Sequence, residues 1–399
     1  FGGGAGGGGG RTEGATATST ASLDPSRVEW GLLPAINYNS DLGVGVGAIG
    51  TLVAFEPGLE PFRWRTQATV FLTLRDQGNG TEVPFQSHSL TFDRPGLSNQ
   101  TLRLRFRLAF NRQINTGYYG LGSNAPDESA PDDVDPTFTQ YDRVFPEIVA
   151  SARVRLWSEP VPVGKRRLEL FVGSSLRYTW FDVFEGSRLA LDRAQATRDP
   201  RLAELLLGVE DHALWMLFTG LLFDTRDREF DPQSGAFHEL SARASPGVDA
   251  SLDFAGFALI ARWYLPLIEG RLALATRTAG DVLVGDVPVY ELARLGAFDP
   301  VSAPGGARSL RAVPLRRFHG KLKLLQSLEL RARLAPFRLA DQRFMFGAAA
   351  FVDAGRVWAD FEGGDVDVLR PDGTVDRRPL DDGLAAFELG VGGGLRLRW

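Results

Sequence analysis

The segment 101-TLRLRFRLAF-110 places Leu102, Leu104, Phe106, Leu108 and Phe110 on one register and Arg103, Arg105 and Arg107 on the other. A period of 2 puts successive side chains on opposite faces of a β-strand. One face then needs a dry partner, and the other needs water or carboxylates. The pattern recurs along most of the chain. Val28, Trp30, Leu32, Ile36 and Tyr38 share a face, and Val44, Val46, Ala48 and Leu52 share the next. In 62-FRWRTQATVFLTLR-75, Phe62, Trp64, Val70 and Leu72 oppose Arg63, Arg65, Thr69 and Thr73. Residues 84–94 alternate more weakly, and 141–157 and 167–180 alternate clearly. Strand-like segments follow near 212–226, 235–245, 251–265, 270–282, 321–334, 343–357 and 384–399, about fourteen in all. Long loops are expected over 113–136 and 283–320, and 187–210 is the one helix-like piece.

A soluble sandwich does not fit. The segments run 10–17 residues, against about 5–6 for an ordinary strand. Short turns alternate with long loops. Aromatic residues sit near segment ends: Trp30, Tyr38, Phe62, Trp157, Trp180, Tyr264, Trp358 and Trp399. Lipid-facing apolar residues, a polar lumen and two aromatic girdles are the pattern of an outer-membrane barrel. Closure also removes the unpaired backbone edges that lipid does not tolerate. The expected fold is therefore all-β, a transmembrane antiparallel barrel, with outer-membrane lipids as its surroundings. No apolar run of about 18 residues is present to form a membrane-spanning helix.

Composition narrows the chemistry. A net charge of −5 gives no reason to expect a nucleic-acid partner. The absence of cysteine removes disulfides and thiolate metal sites, and fits an oxidising compartment. His88, His212, His238 and His319 are scattered without zinc spacing. No G-x-S-x-G occurs, and the glycine run at 2–10 lacks the G-K-[ST] ending of a phosphate loop. The acidic stretch 127-DESAPDDVD-135 reads as a solvated loop tip, with a calcium loop as the alternative. No enzyme, cofactor or metal is expected. Residues 1–27, rich in Gly, Ser and Thr, read as a segment apart from a barrel over 28–399. That segment is either a flexible tail or one that threads a pore or docks a partner. The opening FGGGAGGGGG points to a processed or incomplete N-terminus.

Several motifs together resemble the BamA/TamA-like outer-membrane assembly superfamily, the bacterial surface-antigen barrels. The segment 220-GLLFDTRDREFDPQSGAF-237 resembles its strand–turn–strand signature, with Asp224, Thr225, Arg226, Asp227, Pro232 and Gly235 in place. The segment 351-FVDAGRVW-358 matches F-x-D-x-G as Phe351, Asp353 and Gly355. Segments 33–47, 117–124, 272–277, 285–296 and 326–334 add to the likeness, which spans about 28–399. The family carries an arginine in a V/L-R-G-F/Y motif at the tip of a long loop that folds back into the lumen. Its best match is 309-SLRAVPLRRFHGK-321, with Leu310 and Arg311 present but Ala312 and Val313 in place of glycine and aromatic. The resemblance implies that Arg311 enters the lumen and pairs with Asp353; an alternative alignment gives that place to Arg316 or Arg317. Strand parity independently points Asp353 inward.

The resemblance implies sixteen strands, preceded by periplasmic polypeptide-transport-associated domains. Residues 1–27 are too short for one such domain, and 387-FELGVGGGLRLRW-399 looks most like the fourteenth strand. Fourteen strands are therefore expected, or sixteen if two more follow. Gly43, Gly45 and Gly47 in the first hairpin, with Gly390, Gly392, Gly394 and Trp399 in the last strand, mark the expected seam. Glycine there either weakens pairing and permits lateral opening or gives room to an inserted loop. Many inward arginines point to a charge network across the lumen, or to an anion-attracting pore. The family implies protein insertion or translocation at the bacterial outer membrane, with other protein subunits. A scaffolding barrel in a complex and a passive diffusion channel are the alternatives.

Overall fold

The alternating segments form fourteen long strands: β1 (Val28–Asn39), β2 (Gly43–Ala54), β3 (Trp64–Asp76), β4 (Phe85–Gly96), β5 (Leu102–Gln113), β6 (Asp142–Pro160) and β7 (Lys165–Asp182). There follow β8 (His212–Asp224), β9 (Gly235–Pro246), β10 (Asp253–Ile268), β11 (Leu272–Gly285), β12 (Leu322–Leu339), β13 (Gln342–Trp358) and β14 (Glu388–Arg398). The computed structural model describes residues 26–39, 43–59, 61–76, 80–114, 117–123, 137–160, 165–228, 231–248, 251–302, 304–339, 342–380 and 387–398. Residues 1–25, the acidic stretch 127–135 and Trp399 lie outside them.

All fourteen strands pair antiparallel with their sequence neighbours in one sheet. The register obeys the sequence pattern. Leu104, Phe106, Leu108 and Phe110 are exposed on the outer face, and Arg103 and Arg105 turn inward onto the fully buried Asp93. A one-residue slip would send every inward arginine to the lipid side, at about 2–4 kcal/mol at the bilayer midplane and about 0–1 kcal/mol near the interfaces, so the wall has one sensible register. Exposed Tyr38, Trp180 and Trp215 ring one end of the outer face, and Trp30, Trp157 and Trp263 the other. The fold is a transmembrane β-barrel wall with two aromatic girdles. Alternation breaks where the register shifts, at Arg155/Trp157, Pro266/Ile268 and Arg333/Ala335. These bulges let Leu156 and Trp157 both face outward, as do Leu267 and Ile268.

One end of the wall carries short turns, and the other carries the long connections 114–141, 183–211, 286–321 and 359–387. The helix-like piece holds α1 (Arg188–Ala196), capped by Ser187, and α2 (Pro200–Leu205), capped by Asp199 with proline in its first turn. Connection 286–321 opens with the short α3 (Val289–Leu292). Sequence patterning did not single out the small hairpin Asp365–Leu369/Val375–Pro379 within 359–387. The long connections bury Tyr118, Leu189, Leu205, Val289, Tyr290 and Val366 in one apolar cluster at this end. Arg63, expected on an inward strand register, instead lies exposed in the turn before β3, beside Glu56.

Candidate functional site: the loop inside the lumen

Connection 286–321 folds back into the barrel rather than away from it. Leu295, Val301, Leu310 and Phe318 of the loop pack on Ile260, Ala279, Leu325 and Val357 of the wall. Deeper, Ala297 joins Phe171, Leu222 and Phe237. Three sets of polar contacts hold the loop from root to tip.

At the root, the Glu291 carboxylate of α3 accepts from Arg294 at 2.9 Å and from Arg177 of β7 at 3.3 Å. Arg177 also donates to Glu147 of β6 at 2.6 Å. Burial by itself raises the Glu291 carboxyl; Arg294, Arg177 and Arg243 outweigh it and hold the group down at about 2. At the middle, three consecutive loop amides meet wall carboxylates. Gly296 donates to Asp281 at 3.0 Å, and Ala297 and Phe298 donate to Glu239 at 3.1 and 3.0 Å. Asp281 is itself fully buried between Arg243, at 2.8 Å, and Lys323, at 3.2 Å. Arg243 reaches Asp281 from two strands away by lying across Gly256, where a Cβ would sit 3.0 Å from its Cζ.

At the tip, Arg311 grips Asp353. Its Nε and one terminal nitrogen donate to the two carboxylate oxygens at 2.7 and 2.8 Å, and its backbone N–H donates at 3.2 Å. The guanidinium also donates to Glu329 and to Ser327, lies 3.4 Å from the Phe351 ring centroid, and shares Asp353 with the Ser327 hydroxyl at 2.6 Å. A planar fork over a ring and against a carboxylate is an arrangement lysine cannot reproduce. Arg316 donates to Ser302, and Arg317 lies over Tyr119 and Phe318, so Arg311 is the loop arginine on Asp353. Ala312 has no left-handed backbone. Its methyl occupies space left by Gly390, whose missing Cβ would come within 2.7 Å of it. Gly392 likewise clears room for the Phe351 ring. Gly355 lies buried beside Leu310.

The remaining motif residues form a turn at the opposite end. Asp224 accepts from the Arg226 backbone at 3.1 Å, from its side chain at 2.9 Å, and from Arg167 at 2.6 Å. Asp227 accepts from the amides of Gln233 and Ser234, which follow Pro232. Gly235 has φ +96°, and a Cβ there would lie 2.2 Å from the Thr225 carbonyl oxygen, so only glycine fits.

The expected seam changes shape. Gly43, Gly45 and Gly47 lie on β2, laddered to β1 on one side and β3 on the other. They are one strand in from the edge, where Gly45 and Gly47 admit the Phe71 ring. Gly390, Gly392 and Gly394 do lie on an edge strand, paired to β13. Among the described residues β1 ladders only with β2, and β14 only with β13. Both edge strands are exposed, as at Ile36 and Val391. Sequence reasoning missed Asp281 and Glu291. The available signal for Asp281 was its register, shared with the inward Ala275 and Ala279.

The Omp85 superfamily domain matches residues 78–399. The chain belongs to the Omp85 superfamily. No curated protein matches it in sequence. Among solved structures, this Omp85 chain is similar to BamA from Haemophilus ducreyi lacking POTRA domains 1-3, at 14% identity and TM-score 0.52, covering 93% of this chain and 71% of that one. It is also similar to CdiB from Escherichia coli, at 12% identity and TM-score 0.52, covering 93% of this chain and 56% of that one. The Omp85 barrel thus spans little more than half the length of CdiB. Both likenesses concern the fold.

Proposed function

We propose that this Omp85 barrel is an integral outer-membrane protein of a Gram-negative bacterium that acts in protein insertion into, or translocation across, that membrane. It works as a component of a larger assembly with other protein subunits, without enzymatic chemistry or a cofactor. The observation that carries this reading is the folded-back loop, held at its tip by Arg311 on Asp353. With the apolar cluster at the long-loop end, the loop occupies lumen space that a simple diffusion channel would keep open. It also leaves the wall itself as the working surface. The outer edges of β1 and β14 offer rows of N–H and C=O groups to an incoming strand, and pairing at a sheet edge recruits extended chains. Gly390 and Gly392 keep that last strand thin where the loop tip docks. In this reading the Arg311 contact is a lumen lock that keeps the loop inside while the edge works.

The test is folding of a urea-denatured outer-membrane barrel into liposomes with and without this protein, with conductance recorded on the same preparation. Faster substrate folding without steady conductance supports insertion. Steady conductance without acceleration identifies a channel. Neither activity, with stably co-purifying chains, identifies a scaffold.

A further inference from the structure

The register of the wall places Arg262 of β10, Arg277 of β11, Ser327 of β12, Asp353 of β13 and Gly390 of β14 directly opposite one another in turn. The last three belong to the loop-tip contact. The first two are a like-charge pair facing the lumen. Like charges directly opposite in a sheet are destabilising. Many arginines of this lumen are answered by acids, as Arg103 is by Asp93 and Arg153 by Glu169, while Arg143 and Arg356 lie over aromatic rings. Among the described residues neither Arg262 nor Arg277 has a carboxylate partner. Arg277 donates to the Arg308 carbonyl at 2.9 Å, and Arg262 lies 5.5 Å from the Phe237 ring centroid.

The pair lines a cavity of about 260 Å³ with Arg308, Arg311, Arg331 and Arg396. Asp299 answers Arg308, Asp353 answers Arg311, and Glu329 is shared among Arg311, Arg331 and Arg396. Six arginines thus meet three carboxylates. We propose that this cavity is a binding site for a phosphate-class anion, held between the guanidiniums of Arg262 and Arg277 beside the loop tip. A phosphate group carries nearly two charges and three strong acceptor oxygens, and arginine forks bind it bidentately. That matches the surplus better than a single carboxylate does. The source is either a phosphorylated lipid headgroup or a soluble phosphate compound. This inference does not depend on the insertion activity.

The experiment is calorimetric titration of the whole protein in neutral detergent with inorganic pyrophosphate, then with short-chain phosphatidic acid. Pyrophosphate is expected to bind with a salt-sensitive affinity and to raise the heat-unfolding temperature. The Arg262→Gln/Arg277→Gln variant is expected to weaken binding by about a hundredfold, about tenfold per arginine. Its own ligand-free unfolding temperature should stay level or rise, because a repulsion has been removed. Tighter binding of phosphatidic acid, with the same arginine dependence, assigns the site to a lipid headgroup. Equal or weaker binding assigns it to a soluble phosphate. Undiminished pyrophosphate binding in the folded variant overturns the proposal. So does a lower ligand-free unfolding temperature, which would make the pair part of the wall's own stability.

Discussion

The two ends of the lumen differ in how deeply their charges are buried. At the long-loop end, two groups of carboxylates and cations are matched, buried and tied to the loop, Asp281–Arg243–Lys323 and Glu291–Arg177–Glu147, and the buried Arg143 and Arg356 lie over aromatic rings. Toward the short turns the lumen keeps an open cavity in which arginines outnumber carboxylates. A cavity of about 330 Å³ there is lined by Arg103, Arg153, Arg155, Arg167, Arg226 and Arg228 together with Glu169, Asp224 and Asp227. The difference teaches where charge is structural. Removing one partner of a buried ion pair leaves an uncompensated charge, so the matched groups at the long-loop end are costly to disturb. A wet arginine keeps water as a partner and is cheap to remove.

The largest expected effect breaks the matched end. Asp281→Asn leaves Arg243 and Lys323 buried against a neutral group and costs about 3–5 kcal/mol, read as a lower urea midpoint for unfolding. Arg228→Gln, at the hollow end, leaves that midpoint unchanged. Acid is next. The Glu291 carboxyl is depressed from 4.5 to about 2, so its contribution is complete above pH 4.5 and is lost as pH falls through 2. That contribution is on the order of 2–3 kcal/mol. His319 is pushed down to about 3 by burial and by Arg316, Lys323 and Arg317. The unfolded chain therefore takes up that proton first, and stability declines from pH 6.5 toward 3. Protease cleavage within 304–317 should accelerate on acidification, and His319→Gln should flatten the upper part of the curve.

Arg311→Ala should cost about 1–2 kcal/mol, since its hydrogen bonds are charged but the side chain is partly exposed. The same cleavage assay reads it, and Arg311→Lys should restore little. Gly390→Val should push on Ala312 and loosen the tip by a similar about 1–2 kcal/mol. If either variant leaves both cleavage and unfolding unchanged, the tip contact does not hold the loop. The smallest effect belongs to Arg370→Gln. It breaks an exposed pair with Asp376 and should leave unfolding unmoved.

Much of the wall was legible because strand alternation is local. Residues 102–110 declare both faces without reference to any other segment. Asp353 and Gly235 were legible too, one by parity and one by its turn. The matched end was not. Asp281 meets Arg243, 38 residues away, and Lys323, 42 residues away, and no local pattern announces either contact. The seam shows the same limit. Glycine composition marked β2 and β14; among the described residues β14 is an edge strand, but β2 is covered by β1, because an edge is a property of which strand lacks a neighbour.

The sequence by itself determined a β-barrel wall, its lipid face and its inward arginines, because a period of 2 and a lipid bilayer leave one workable arrangement. Tertiary structure alone decided which carboxylate each arginine receives, which arginines receive none, and how the loop lies along the lumen. Those outcomes depend on distances between strands far apart in the chain, and the register of the sheet sets them.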